Sequence, residues 1–237
     1  MYQSPEKPVL FLYESFPTPS KLTSNGFSDI DNYDKVLEHM SRNIDDYFKK
    51  HLGLSPYDAE RLHKDYSQQY GQAIEGLVRH HQIDALEYNA KVDDAVPLDD
   101  LIKPNAQLRQ FLEDIDTSKV RLWLLTNAYV NHGKRVVRLL GVDDLFEGLT
   151  YCDYSQVPFV CKPHKEMFMK AMREAGVSDV SRYDSHKNCV GAKDAGWTAI
   201  HFVEEGLPAP DTPASQHQIR HLEELRSLYP EFFRDRN

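Results

Sequence analysis

The sequence predicts an α/β fold: a parallel sheet core with an inserted helical cap. Short apolar runs of strand length, Val9–Tyr13, Leu122–Leu125 and Thr198–Val203, lack polar alternation. That is how parallel strands covered on both faces read. After Val120, strand and helix patterns alternate, which argues for right-handed crossovers. Between the first two runs lies a stretch with helical periodicity and no strand, which interrupts the alternation.

The elements follow in order. Val9–Tyr13 is a buried strand. Phe16 to Ser28 carries Pro17, Pro19 and Gly26 among Ser and Thr residues, which is loop chemistry. Tyr33 to Leu52 spaces Val36, Leu37, Met40, Ile44, Tyr47, Phe48 and Leu52 at the three- and four-residue intervals of an amphipathic helix. Gly53 suits its end. Ser55-Pro56 caps and starts the next helix, towards Tyr70. Ala73–His81 and Asp84–Ala90 are further helices, and Leu98–Leu112 follows with a break at Lys103-Pro104. Residues 34–95 are read as the cap; residues 1–33 and 96–237 form the core. A cap over a ligand site excludes water and adds contacts.

Beyond Leu122–Leu125, Lys134–Leu140 is a helix closed by Gly141 and Gly148–Cys152 a strand. Lys165–Ala175 and Lys187–Ala195 are helices closed by Gly176 and Gly196. Thr198–Val203 is a strand, Gly206–Ser215 a surface loop and Ile219–Leu228 a terminal helix. The sheet needs one more strand between the two middle helices. Val177 to His186 offers two valines and a tyrosine, enough for two or three strand residues.

Of the 237 residues, 41% are hydrophobic and 27% charged, ordinary for a globular chain. The net charge of −9 argues against a nucleic-acid partner, which needs clustered Lys and Arg. Cys152, Cys161 and Cys189 are an odd count without framework spacing, which fits a reducing compartment. No signal peptide or bilayer-length apolar run is read, so the expected location is the cytoplasm, or the nucleus as well.

The chemistry starts at Thr126. A hydroxyl at the carboxyl end of a buried parallel strand sits where α/β ligands bind. Thr126, the Asn127-Ala128 amides and Lys162 before Pro163 suit a phosphate: hydroxyl and amides donate, the ammonium balances charge. Asp29-Ile30-Asp31 supplies two carboxylates which, in an extended segment, share one side. One can attack phosphorus and the other protonate the leaving oxygen. The simpler reading is that this segment caps the following helix.

Asp29-x-Asp31, Thr126-Asn127, Lys162-Pro163 and Asp184-Ser185 together resemble the four motifs of haloacid dehalogenase-like hydrolases, with their Rossmann-like sheet. Gly71-Gln72-Ala73-Ile74-Glu75-Gly76-Leu77, Phe146 to Asp153 and Lys162-Pro163-His164 resemble the fungal pyrimidine 5′-nucleotidase branch. The resemblance implies a nucleoside 5′-monophosphate substrate of pyrimidine type and an aspartyl-phosphate formed at Asp29. It implies Asp31 as acid and base, Thr126, Asn127 and Lys162 at the phosphate, and Mg²⁺ at Asp29, Asp31 and Asp184.

Two motif borders depart from that pattern. About sixteen residues separate Leu12 from Asp29, and Tyr183 stands where the first acid of the last motif belongs. Two explanations are open: a variant of altered activity, or a misread gene that retains intron sequence near 13–28. The alternative function is a non-catalytic protein of the same fold that binds nucleotide or a protein partner. Cys152, Cys161 and His164 lack a fourth ligand and the paired spacing of a zinc site, so the cysteines are read as free and buried. His132 is read as a surface residue, and Arg79 and His80 as candidates for contact with a base.

Overall fold

The computed structural model describes residues 7–13, 30–177, 181–184, 186–202, 215 and 217–235, with backbone alone at 13, 30–34, 181–188 and 202. The Phe16–Ser28 loop and most of Gly206–Ser215 lie outside the described residues.

Strand β1 (Val9–Tyr13) opens the sheet. Its side chains from Val9 to Leu12 are at most 4% exposed, a burial that stabilises by roughly 1.5–3 kcal/mol for each large side chain. Helix α1 (Ile30–Leu52) follows, and α2 (Pro56–Tyr70) begins where the Ser55 hydroxyl accepts the Asp58 N–H at 3.2 Å. Gly71 ends α2 with φ 86°, a left-handed turn that glycine enters without strain. Then come α3 (Ala73–His81), α4 (Ala85–Lys91), α5 (Leu98–Leu101) and α6 (Ala106–Glu113). Asp84 and Asn105 cap α4 and α6, each accepting two backbone N–H groups at 2.8–3.2 Å. The break expected at Lys103-Pro104 separates α5 from α6.

The second half alternates: β2 (Arg121–Leu125), α7 (Val130–Leu140), β3 (Gly148–Thr150), α8 (Lys165–Ala175), β4 (Ser181–Asp184), α9 (His186–Asp194), β5 (Thr198–Phe202) and β6 (His217–Ile219). The strands form one parallel sheet in the order β3-β2-β1-β4-β5-β6. Strand order reverses between β1 and β4, and the crevice beyond the carboxyl ends there is where such sheets hold ligands.

Two expectations change. The strand before Asp184 forms with four residues. Leu10 pairs with Ser181 and Phe11 with Arg182 on one side, and the run from Ser181↔Thr198 to Asp184↔His201 pairs it with β5 on the other. A strand laddered on both edges needs less from its own side chains, because strand preference is mostly context. The single helix expected over Ile219–Leu228 does not form. Ile219 ends β6, the 3₁₀ turn Leu222–Glu224 follows, and α10 covers only Leu225–Leu228. The Ser215 hydroxyl accepts the His201 N–H at 2.9 Å and donates to the His217 carbonyl at 2.5 Å, which stitches β6 onto the edge. The Glu224 carboxylate accepts the N–H groups of Arg220 and His221 and so starts the turn after the strand.

The core divides in two. One cluster lies around β1, β2, β5 and α8, where the Phe11 ring meets Trp197 at 5.1 Å and Trp123 at 6.4 Å. The other joins the helices of the inserted block to the loop after β3: Tyr47, Phe48, Ile74 and Leu77 pack with Cys152, Tyr154, Phe159 and Cys161. Among the described residues, no helix is long and apolar enough to cross a membrane. Phe11, fully buried between two tryptophans, sets a stability test. Phe11→Ala is expected to cost about 3–5 kcal/mol, read as a lower midpoint in urea unfolding with an unchanged slope.

Candidate phosphate site

The site grows from the end of β2. Thr126 follows Leu125, is 3% exposed, and donates its N–H to the carbonyl of Thr150, the last residue of β3, at 2.9 Å. Its Oγ1 accepts the Ala128 N–H at 2.9 Å. A hydroxyl oriented by an accepted bond keeps its own proton for a ligand. The chain then enters α7, whose first turn adds the positive end of a helix.

Asn127 ties this turn to the loop before α8. Its Nδ2 donates to the Lys162 carbonyl at 2.9 Å, and its Oδ1 accepts the Lys162 N–H at 2.7 Å. The role found for Asn127 is thus to fix the Lys162 backbone. Lys162 itself is 3% exposed, a depth that lysines seldom reach on an ordinary surface.

Two glycines let other elements close on Lys162-Pro163. A Cβ on Gly71 would lie 2.6 Å from the Lys162 carbonyl oxygen, and one on Gly191 would lie 2.3 Å from that of Pro163. The segment is clamped between the end of α2 and helix α9. Tyr154 adds a second bridge to the helical block: its hydroxyl lies 3.2 Å from Gln72 Oε1 and 3.4 Å from both Asp93 Oδ2 and the Asn127 carbonyl.

The structure therefore brings Thr126, Asn127 and Lys162 together. Asp184 closes β4; counting on by two from Phe11↔Arg182 sets it level with Tyr13, and Tyr13 pairs with Leu125. Its backbone thus stands at the same sheet edge, one strand beyond β1. Asp29 lies outside the described residues. Asp31, expected in an extended segment, stands inside α1. The first-turn preference of Asp and Asn extends that helix back to Ile30, so alternation no longer applies to Asp31. The acids Asp29, Asp31 and Asp184 remain assigned by motif alone.

The side readings change as well. His132 is buried on α7 at 5% exposure because α7 begins at Val130, a turn earlier than expected. Arg79 pairs with Glu75 and lies over the Tyr70 ring at 5.0 Å, and His80 bonds the Tyr70 hydroxyl at 2.7 Å. Both are committed within the helical block. Sequence reasoning missed Gln72, Tyr154 and the clamp by Gly71. Gly71 to Leu77 carried the resemblance, yet its contact with Lys162 spans 91 residues and leaves no local signal.

A family model described as haloacid dehalogenase-like hydrolase matches residues 25–190, a span that contains every motif residue named above. The chain belongs to the haloacid dehalogenase-like hydrolases. "Phosphate metabolism protein 8" of Saccharomyces cerevisiae is 37% identical over 207 residues, covering 80% of this chain and 64% of the relative. The chain thus spans less than two thirds of that relative's length. In fold the chain is similar to a haloacid dehalogenase-like phosphatase from Thermococcus onnurineus, at TM-score 0.55 and 18% identity over 94% of this chain and 97% of that one. It is also similar to L-2-haloacid dehalogenase from Xanthobacter autotrophicus, at TM-score 0.52 and 16% identity over 94% and 98%.

Within this family member, the Asn127 latch is testable without a substrate. Asn127→Ala leaves the Lys162 main chain without its side-chain partner, a loss worth about 1–3 kcal/mol. The Lys162 amide is expected to exchange with deuterium about 10–100-fold faster, read residue by residue against an unchanged Leu124 amide.

Proposed function

We propose that this chain hydrolyses phosphate monoesters, with nucleoside 5′-monophosphates, pyrimidine ones first, as its substrates. The observation that carries the reading is the Thr126–Asn127–Lys162 cradle at the carboxyl edge of a parallel sheet. A hydroxyl, backbone amides at a helix start and a buried ammonium make a site for a compact dianion. Family membership supports hydrolysis, and the name of the yeast relative fits phosphate chemistry. The nucleotide assignment rests on the resemblance of Gly71–Leu77 and Phe146–Asp153 to the fungal branch.

In this reading Thr126 and the Asn127 main-chain amide hold the phosphate oxygens, and Lys162 balances the charge that grows on them in the transition state. Asp29 attacks phosphorus, and Asp31 protonates the departing ribose oxygen and then serves as base for water. Residues 34–95 act as the cap. Its contacts through Gly71, Gln72 and Asp93 suit it to exclude water and to meet the nucleoside. The acids Asp29, Asp31 and Asp184 offer a hard, oxygen-only donor set, which suits Mg²⁺. When bound there, the ion would offset phosphate charge. The expected partner is thus a small phosphate ester.

One observation favours a second reading, nucleotide or protein binding without turnover. Asp31 lies in α1 rather than on a strand end, and no acid ends β1 among the described residues.

Phosphate release from a panel of nucleoside monophosphates separates the two. Release with Mg²⁺ is expected, absent in EDTA and lowered by several orders of magnitude in Asp29→Asn. Thr126→Val is expected to retain the fold and to lose about 10–100-fold in kcat/KM, the worth of a hydrogen bond to a charged group. Tight nucleotide binding with no release from any substrate would establish the second reading.

A further inference from the structure

Among the described residues, one group of three metal-ligating side chains converges: Glu75, Cys161 and His164, whose ligand atoms all lie within 4.8 Å of one another. They come from separate parts of the chain. Glu75 is in the first turns of α3, Cys161 ends the loop after β3, and His164 caps α8. Glu75 and Cys161 are 1% and 0% exposed, and His164 is half-buried.

The local bonding turns these atoms towards one another, and the Cys161 thiol also reaches the Tyr70 carbonyl at 3.7 Å. Arg79 takes Glu75 Oε1 through its Nε at 3.0 Å, while Oε2 faces the Cys161 sulfur at 3.3 Å. The His164 ring makes no capping bond to the helix it precedes. A thiol is a weak donor, and a carboxylate buried this deeply calls for positive charge beside it. Arg79 meets that need from one side only, with a side chain 45% exposed.

We infer that Glu75, Cys161 and His164 form a binding site for a borderline-soft divalent cation of the zinc class, bridging the helical block to the loop that carries Lys162. One sulfur, one nitrogen and one oxygen suit zinc and exclude a preference for magnesium. Ligand atoms of a tetrahedral zinc site lie about 3.5 Å apart, so the three side chains draw together slightly on binding. Three protein ligands leave a fourth position, and half-buried His164 gives an ion and a water their route. On binding, Cys161 releases its thiol proton to solvent, its sulfur bonds the metal, and no electrons are exchanged. The sequence alone argued against zinc because Cys152, Cys161 and His164 lacked a fourth ligand and the paired spacing. The missing carboxylate stands 86 residues upstream of Cys161.

Cobalt(II) is the probe, since its thiolate complexes absorb in the near ultraviolet and its oxygen complexes do not. The full chain is titrated with Co²⁺ in excess Mg²⁺, which fills oxygen-only sites. The expected result is a charge-transfer band that saturates at one equivalent and is bleached by one equivalent of Zn²⁺. Cys161→Ser abolishes it, Cys152→Ser keeps it, and His164→Gln weakens binding by at least the roughly 10–100-fold that even an outer-shell partner contributes. No band, a band that survives Cys161→Ser, or one lost in Cys152→Ser overturns the site. Should Cys161→Ser fail to fold by circular dichroism, His164→Gln decides: unchanged affinity overturns the site.

Discussion

The two hydrogen bonds between the Asn127 amide and the Lys162 main chain join loops that leave neighbouring strands, β2 and β3. They close a 35-residue separation, and a planar amide paired at both its atoms fixes orientation as well as distance. Without them the Lys162 main chain would lose its two direct bonds to the end of β2, and the rest of the loop would be tied mainly to the helical block through Tyr154 and Cys161. A charge meant to meet a phosphate loses most of its value when it wanders, because preorganisation is what lets a fixed group act without reorganising. The strength of the sheet matters to the site mainly by way of this latch: β2 positions Thr126 directly and Lys162 through Asn127.

The same loop carries the second core. Cys152, Tyr154, Phe159 and Cys161 are all buried against Tyr47, Phe48, Ile74 and Leu77, so the helical block and the loop share one apolar cluster. Docking of the block and the shape of the loop are therefore one event. Gly71 adds a hard constraint, since nothing larger fits against the Lys162 carbonyl. Any swing of the helical block about its junctions with the sheet has to move the end of α2 past Lys162-Pro163. The end of α2 and the Lys162 backbone are thus mechanically coupled, with Tyr154 as a second link.

How legible this was depends on the range of the interaction that decides each element. Val9–Tyr13, Pro56–Tyr70, Ala73–His81 and Lys165–Ala175 were readable to the residue, because apolar period, a serine cap or a closing glycine is written locally. Thr126 and Lys162 were readable as residues that meet at the sheet edge because each stands at an element boundary that the periodicity reveals. β4 and β6 were not. Ser-Arg-Tyr-Asp has little strand character of its own and owes its form to ladders with β1 and β5. β6 depends on the Ser215 hydroxyl, and the spacing of Ile219, Leu222 and Leu225 fits a helix equally well. Partners far along the chain, Gly71 for Lys162 and Gln72 for Tyr154, leave no mark in a one-dimensional pattern.

The first motif is the case where local reading and structure part for a reason. If Asp29-x-Asp31 followed β1 directly, the pleat would aim both acids to one side and sheet register would set them level with Thr126. Instead β1 ends at Tyr13, and residues 14–29 separate it from α1. With sixteen residues between them, the ladder of β1 does not carry over to the first motif, so β1 does not dictate where the acids stand. That control passes to α1. Val36 packs with Val96 and Leu98, against which Val136 and Leu139 of α7 also rest. Asp31, inside α1, is five residues before Val36, a rise of about 7.5 Å along the helix axis. The position of the first motif is thus set by α1 packing near the helix that Thr126 introduces, through side chains rather than through the ladder. Residues two apart on a helix also diverge instead of sharing a side. Asp31, inside α1, therefore answers to the packing of that helix, and the register of the sheet does not set its direction.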